Sequence, residues 1–407
     1  MTRRRLFAAA ACLLLLGTGG ALAKVKLPAA STDPAAANAP ARAIAIGWLG
    51  LTNDPRHAPV YAYTRTELRP ADDPVAGAEM GIADEKTIAD ASGLAVTLDR
   101  HQAPDAAGLV AALNAMAKAG ERFVLVDLPG DLLGAVAAQA KSLDLTLINV
   151  SAPDNSLRDL CDAKLLHTAA SDRMETDALV QFLRVHNWNN ILVLEGQAPR
   201  DKAFGDSFAA SAARLRLNVV ATRSFTLKRD PANREANNAA LLTGGVDYDV
   251  VFIADSDGEF ARYLPFTTQL PRPLIGSAGL VPSAWNWTFE RYGAPQVNSR
   301  FIKATGRHMS GADWAAWVAA RTVVDAYARA GTPDPNAVDA YLRSDQLRAD
   351  GSKGVTLDYR PWDGQMRQPI LLGTEDAVID VAPLSAFQHQ FNTLDTLGED
   401  EPEHKCP

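Results

Sequence analysis

Cysteine is scarce, with three in 407 residues, and one of these, Cys12, sits in an N-terminal apolar run. Excess positive charge is missing as well: 40 Lys and Arg face 48 Asp and Glu, a net charge of −8. Without a basic patch, neither nucleic acid nor an anionic membrane surface is an expected partner. The seven histidines show no paired spacing such as H-E-x-x-H, and His404 with Cys406 has no partners at zinc spacing, so no metal site is expected. G-x-S-x-G, G-x-G-x-x-G and G-x-x-x-x-G-K-[ST] are all absent beyond the first 23 residues. The sequence therefore carries no hydrolase elbow, dinucleotide fingerprint or phosphate loop, and no cofactor is expected. No later apolar run is long enough to span a bilayer.

What is present begins with an export signal. Arg3, Arg4 and Arg5 precede an apolar core over residues 6–16, and Ala21-Leu22-Ala23 offers small residues for cleavage after Ala23. Cleavage takes three arginines and no acid, so the net charge falls from −8 to −11. Residues 24–42, rich in Ala, Pro, Ser and Asn, read as a disordered leader. Two cysteines then remain in an oxidising compartment, and a single disulfide between Cys161 and Cys406 is the expectation.

From residue 43 the chain alternates strand and helix patterns. Residues 43–51, 94–98, 123–126 and 145–150 are short continuous apolar runs, as in strands buried on both faces. Helical spacing fills 74–92, 105–119 and 132–142. A right-handed βαβ succession predicts a parallel sheet covered on both sides. The polar stretch 52–74 is long for a strand-to-helix loop and reads as functional or mobile. After 151–171, which lacks periodicity, the pattern restarts. Asp172 with Glu175 resembles a capping box, and strands are expected at 191–194, 219–225, 249–254 and 274–277. Helices are expected at 204–215, where Phe204, Phe208, Ala212 and Leu215 form one stripe, and at 234–242 and 258–269. Residues 310–330 are apolar nearly all round and must be buried, 354–359 and 368–372 read as a hairpin, and 377–381 as a last strand. The fold class is α/β, with two Rossmann-like lobes in series.

This order resembles the type I periplasmic binding proteins, above all the branched-chain amino-acid-binding group of ABC importers. Residues 147–157 (LINVSAPDNSL) resemble the loop after the last strand of that family's first lobe. Asp201-Lys202-Ala203-Phe204-Gly205 resembles its D-x-x-Y-G helix start. Residues 314–330 with Gly331 resemble its return helix, and 351–358 with Asp363-Gly364 its late hairpin. The likeness spans residues 43–381. The tail Asn392-Thr393-Leu394-Asp395-Thr396-Leu397-Gly398, with Cys406 beyond, resembles a subgroup associated with pyrroloquinoline-quinone-dependent alcohol dehydrogenase systems.

The resemblance implies a periplasmic monomer whose lobes, 43–170 with 279–350 and 171–278 with 351–382, close by a hinge on a small molecule before docking on an inner-membrane ABC permease. Residues 383–407 are left as an acidic tail. A periplasmic sensor that presents its closed form to a receptor is the alternative. Gly205-Asp206-Ser207 resembles the opening of GDS-type esterases, but Ser207 lies on an apolar-striped helix with no strand directly before it, so an enzyme is not the reading taken.

Ligands of such folds meet the loops beyond the strand C-termini. The candidates there are Trp48, Thr52, Asp131, Ser151, Ala152, Ser171, Phe204, Asp255 and Ser277, with Asp127, Asp172, Glu195 and Asp257 beside them. Asp255-Ser256-Asp257-Gly258-Glu259 starts like a calcium loop but lacks its spaced final glutamate, and reads as a strand-to-helix turn. Leucine, isoleucine and valine are not the expected cargo. Where the resembling family supplies carboxylate and ammonium partners, this chain has Pro129-Gly130-Asp131-Leu132-Leu133, Asn149-Val150-Ser151-Ala152-Pro153 and Gly276-Ser277-Ala278-Gly279, and Phe204 stands for a tyrosine.

Overall fold

The computed structural model describes residues 42–161, 164–226 and 236–406. The signal segment and nearly all of the leader lie outside the described residues, as does the start of the helix expected at 234–242. The first sheet has five parallel strands, in the order Leu94–Ala103, Arg42–Leu51, Phe123–Asp127, Thr146–Asn149 and Leu165–His167. The second has four, also parallel: Leu274–Gly276, Val250–Ala254, Asn190–Glu195 and Asn218–Ser224. This is the α/β class expected. The continuous apolar runs are explained by covered faces: Val124, Leu125, Leu192 and Phe252 are all fully buried.

One core cluster holds a face of both sheets together with the helix Gly311–Ala330, while separate clusters cover the opposite faces. That helix, capped by Ser310 and Asp313, packs back on the helix Val75–Asp84, where Trp317 Nε1 donates to Asp84 Oδ2 at 2.9 Å. Trp285 is buried and hydrogen-bonded to Asn298, and Trp287 is exposed and stacks on His308.

Several elements differ from expectation. Residues 74–92 break at Glu85 into the helices Val75–Asp84 and Lys86–Ala91. The strand at 94 runs on to Ala103, because all ten residues pair in register with Arg42–Leu51. The aperiodic crossover hides the strand Leu165–His167. Ser171, not Asp172, caps the next helix, its Oγ accepting the Met174 N–H at 3.1 Å. The helix expected at 258–269 shrinks to a 3-10 turn, Ala261–Phe266, with Pro265 inside. The expected hairpin pairs only at Tyr359 and Met366. Beyond that bridge Thr356–Leu357 joins Ala349–Asp350, and Ile370–Gly373 joins Val281–Ser283 and Val378–Ala382.

The acidic tail is folded against the body. Leu394 and Leu397 are buried, and Arg360, itself 1% exposed, donates to Asp395 and to the Leu394 and Leu397 carbonyls. Cys161 and Cys406 are joined as a disulfide across 245 residues of chain, with Cα atoms 5.4 Å apart. No helix among the described residues is long and apolar enough to cross a membrane.

Candidate functional site

In each sheet the strand order reverses once, between Arg42–Leu51 and Phe123–Asp127 in the first and between Asn190–Glu195 and Val250–Ala254 in the second. Beyond such a reversal the flanking connections leave to opposite faces and open a crevice at the strand C-termini. Both crevices hold a cavity.

The first-sheet cavity is about 430 Å³, lined by Trp48, His57, Asp72, Gln102 and Asp127 among others. The stretch 52–74 is not a free loop here. Arg56 Nη2 lies 2.6 Å from Asp54 and 2.9 Å from Asp127, and Nη1 donates to Ser151 Oγ at 3.1 Å. His57 is held between Asp72 Oδ1 at 2.8 Å from Nδ1 and Asp127 Oδ2 at 2.7 Å from Nε2. Carboxylates only accept, so both ring nitrogens carry hydrogen and His57 is an imidazolium. Burial pulls its pKa down, and Asp127 and Asp72 more than reverse this, to about 10. Burial would raise the Asp127 pKa, but His57 and Arg56 hold it below the usual carboxylate range. From this root the loop forms the strand pair Val60–Tyr61 and Glu67–Arg69. At its tip the Tyr63 N–H donates to Glu259 Oε2 at 3.0 Å, in the loop after the second-sheet strand Val250–Ala254.

The second-sheet cavity, about 170 Å³, is lined by Glu175, Arg200, Asp201, Phe204, Asp255, Gly276 and Ser277 among others. Gly276 has φ 105° and a Cβ there would collide with the Ile253 carbonyl, so only glycine lets this strand end so close to its neighbour. Phe204 is tilted against Phe252 at 5.4 Å, and the Arg200 guanidinium lies 5.5 Å from its ring centre. Arg200 binds Asp172 through both terminal nitrogens, at 2.7 and 2.5 Å. Asp255 accepts the N–H groups of Phe260 and Ala261 at 3.0 and 2.9 Å, the role of a turn acid rather than a calcium ligand. Its backbone N–H donates to Ser277 Oγ at 2.9 Å. The carboxyl of Glu175 makes no hydrogen bond or ion pair among the described residues. Burial first, and then Asp172, push its pKa up to about 8.

The structure thus gathers Phe204, Asp255 and Ser277 around one cavity, and Trp48 with Asp127 around the other. Ser151 reaches the first only by holding Arg56. Four candidates are not brought in. Thr52 is exposed and only its N–H is engaged, by Ala103 O at 3.0 Å. Asp131 is exposed on the first turn of the helix Gly130–Ser142. Ala152 is buried, its N–H and carbonyl both taken by Asn149. Ser171 is a helix cap and lines a different cavity, with Arg158, Arg173 and Arg214. Ser207 sits within the helix Pro199–Arg214, bonded to Thr176 and Asn155. Sequence reasoning missed Arg56, His57, Glu175 and Arg200. Arg56 and His57 lie in the stretch flagged only as a long loop, and Glu175 was absorbed by its capping-box spacing.

No family model matches the sequence, and no curated protein matches it. Solved structures do match in fold. A periplasmic binding protein from Burkholderia mallei aligns with a TM-score of 0.64 at 13% identity, over 89% of this chain and 98% of that one. An ABC transporter substrate-binding protein from Desulfitobacterium hafniense, in complex with Leu, aligns at 0.62 and 15% identity, over 83% and 99%. A solute-binding protein of an ABC transporter from Rhodopseudomonas palustris, in complex with 3,4-dihydroxybenzoic acid, aligns at 0.62 and 10%, over 82% and 93%. The fold is that of the type I periplasmic binding proteins.

Proposed function

We propose that this chain is the substrate-binding component of an ABC importer. It is exported and cleaved after Ala23, and in the periplasm it acts as a monomer without a cofactor. Two lobes, 43–170 with 279–350 and 171–278 with 351–382, close over a small molecule, and the closed form is presented to an inner-membrane permease. The observation that carries this reading is the pair of cavities at the strand-order reversals of two parallel sheets. The loop tip reaching from the first sheet's side to Glu259 supports it, since a ligand that touches both sides stabilises the arrangement in which they meet. The tail's resemblance suggests that the cargo belongs to the neighbourhood of quinone-dependent alcohol oxidation.

Mass spectrometry of the protein released from its native periplasm should find a co-purifying small molecule. Adding that molecule back to stripped protein should lower the radius of gyration in small-angle scattering. An unchanged scattering curve at saturation overturns hinge closure.

A further inference from the structure

Every cation lining the two cavities already has its counter-charge. Arg200 is held by both oxygens of Asp172, and His57 by Asp72 and Asp127. Arg56, which lies outside both linings and donates to Ser151, is spent on Asp54 and Asp127. Of the second cavity's acids, Asp201 accepts the Ala198 and Ser256 N–H groups and Asp255 those of Phe260 and Ala261. Of these acids only the Glu175 carboxyl has no hydrogen-bonding or ion-pair partner among the described residues. Lys353 interacts with it electrostatically but does not pair with it. Its Nζ is held by Gln368 Oε1 at 2.8 Å and Pro369 O at 3.1 Å, 3.5 Å from the Trp314 ring centre, and burial holds its pKa well below the lysine range.

A ligand carboxylate entering here finds no unpaired cation among the described residues. A ligand ammonium finds an unpartnered carboxyl in a cavity also lined by the aromatic ring of Phe204, surroundings that favour a desolvated cation. Resting on the importer reading above, we propose that the second-sheet cavity receives the cationic end of an amine, with Glu175 as its counter-charge and Phe204 as its wall. A ligand carboxylate would have no counter-charge in either cavity, so amines should bind ahead of α-amino acids and organic acids.

The proposal predicts a proton balance. In the empty cavity Glu175 holds its proton at neutral pH, since burial and Asp172 outweigh Arg200 and Lys353. An ammonium drives that proton off, so binding at pH 7 releases close to one proton per site.

Isothermal calorimetry on the full mature protein at pH 7, in two buffers of different protonation enthalpy, tests this with benzylamine, benzyl alcohol, leucine and 3,4-dihydroxybenzoate. Benzylamine should bind best and release the proton. Glu175→Gln should weaken it by about tenfold or more, the scale of a lost charged hydrogen bond, without lowering the melting temperature. Glu175→Asp should restore part of the affinity. Preference for leucine or dihydroxybenzoate overturns the cation site while leaving the importer reading intact. So does amine binding that is indifferent to Glu175→Gln or free of proton release. Failure of benzylamine to bind also overturns it, and failure of all four, with no small molecule in the natively released protein, counts against both readings.

Discussion

The two strand-end cavities are built from similar residues and do different work. At the first sheet, three acids and two cations converge, and each of Arg56, His57, Asp72 and Asp127 has a partner within 2.9 Å. At the second, Arg200 and Asp172 cancel each other, the remaining Asp carboxylates are tied to backbone N–H groups, and Glu175 is left over. A closed network fixes geometry, whereas an open valence awaits a partner. The first crevice therefore anchors the 52–74 loop, and the second is the one that keeps an unpartnered carboxyl among the described residues. A cavity lined with charge is not by itself a charged-ligand site; the partners have to be counted first.

The largest effect should come from breaking the first network at its shared acid. Asp127→Ala leaves Arg56 paired only with Asp54 and His57 only with Asp72, each part-buried and each without its second carboxylate. Two charge-assisted hydrogen bonds go with Asp127, at about 1.5–3 kcal/mol each, so the cost is about 3 kcal/mol or more. Chemical denaturation should show a loss of that size. A loss under about 1 kcal/mol would mean that the network is screened like a surface pair.

The next effect is a pH slope. The His57 pKa is raised from 6.5 to about 10 on folding. A raised pKa contributes stability that is fully present below the unfolded value and is lost as pH rises through the folded one. Stability should therefore fall between about pH 6.5 and 10, and His57→Gln should flatten that part of the profile. An identical slope in the variant would assign the loss to other groups.

The difference between the cavities also explains what the sequence could disclose. Strands such as residues 123–127 and 191–194, and the helix Gly311–Ala330, were legible because continuous burial leaves a run of apolar residues. Leu165–His167 was not, since three residues completing a sheet edge carry no period. The 3-10 turn Ala261–Phe266 was overcalled because apolar spacing hid the cost of Pro265 inside a helix. At the site, position relative to strand ends found Phe204, Asp255 and Ser277. It could not find Arg56 and His57, whose role depends on a long loop folding back on Asp127. Nor could it tell Glu175, unpartnered, from Asp172, paired with an arginine 28 residues on. The spacing of Asp172 and Glu175 suited a cap, and Ser171 took that role instead. Which acids are satisfied is a property of the folded contacts, not of local pattern.

The smallest effect should have the opposite sign to the first. Glu175→Gln in the empty protein removes no hydrogen bond or ion pair. The folded Glu175 pKa is raised from 4.5 to about 8, so the fold favours its neutral form. By the same linkage its contribution is present below about pH 4.5 and lost as pH rises through 8. Above that value an unpaired carboxylate is forced into a half-buried site, and a neutral amide of the same shape relieves it. Glu175→Gln should leave stability within roughly 0.5 kcal/mol of the parent at acid pH, and make the variant the more stable one at pH 9. Melting curves of the two proteins at pH 5 and pH 9 decide it. A variant clearly less stable at both would mean that Glu175 is already partnered in the folded chain, and the contrast between the two cavities would fail with it.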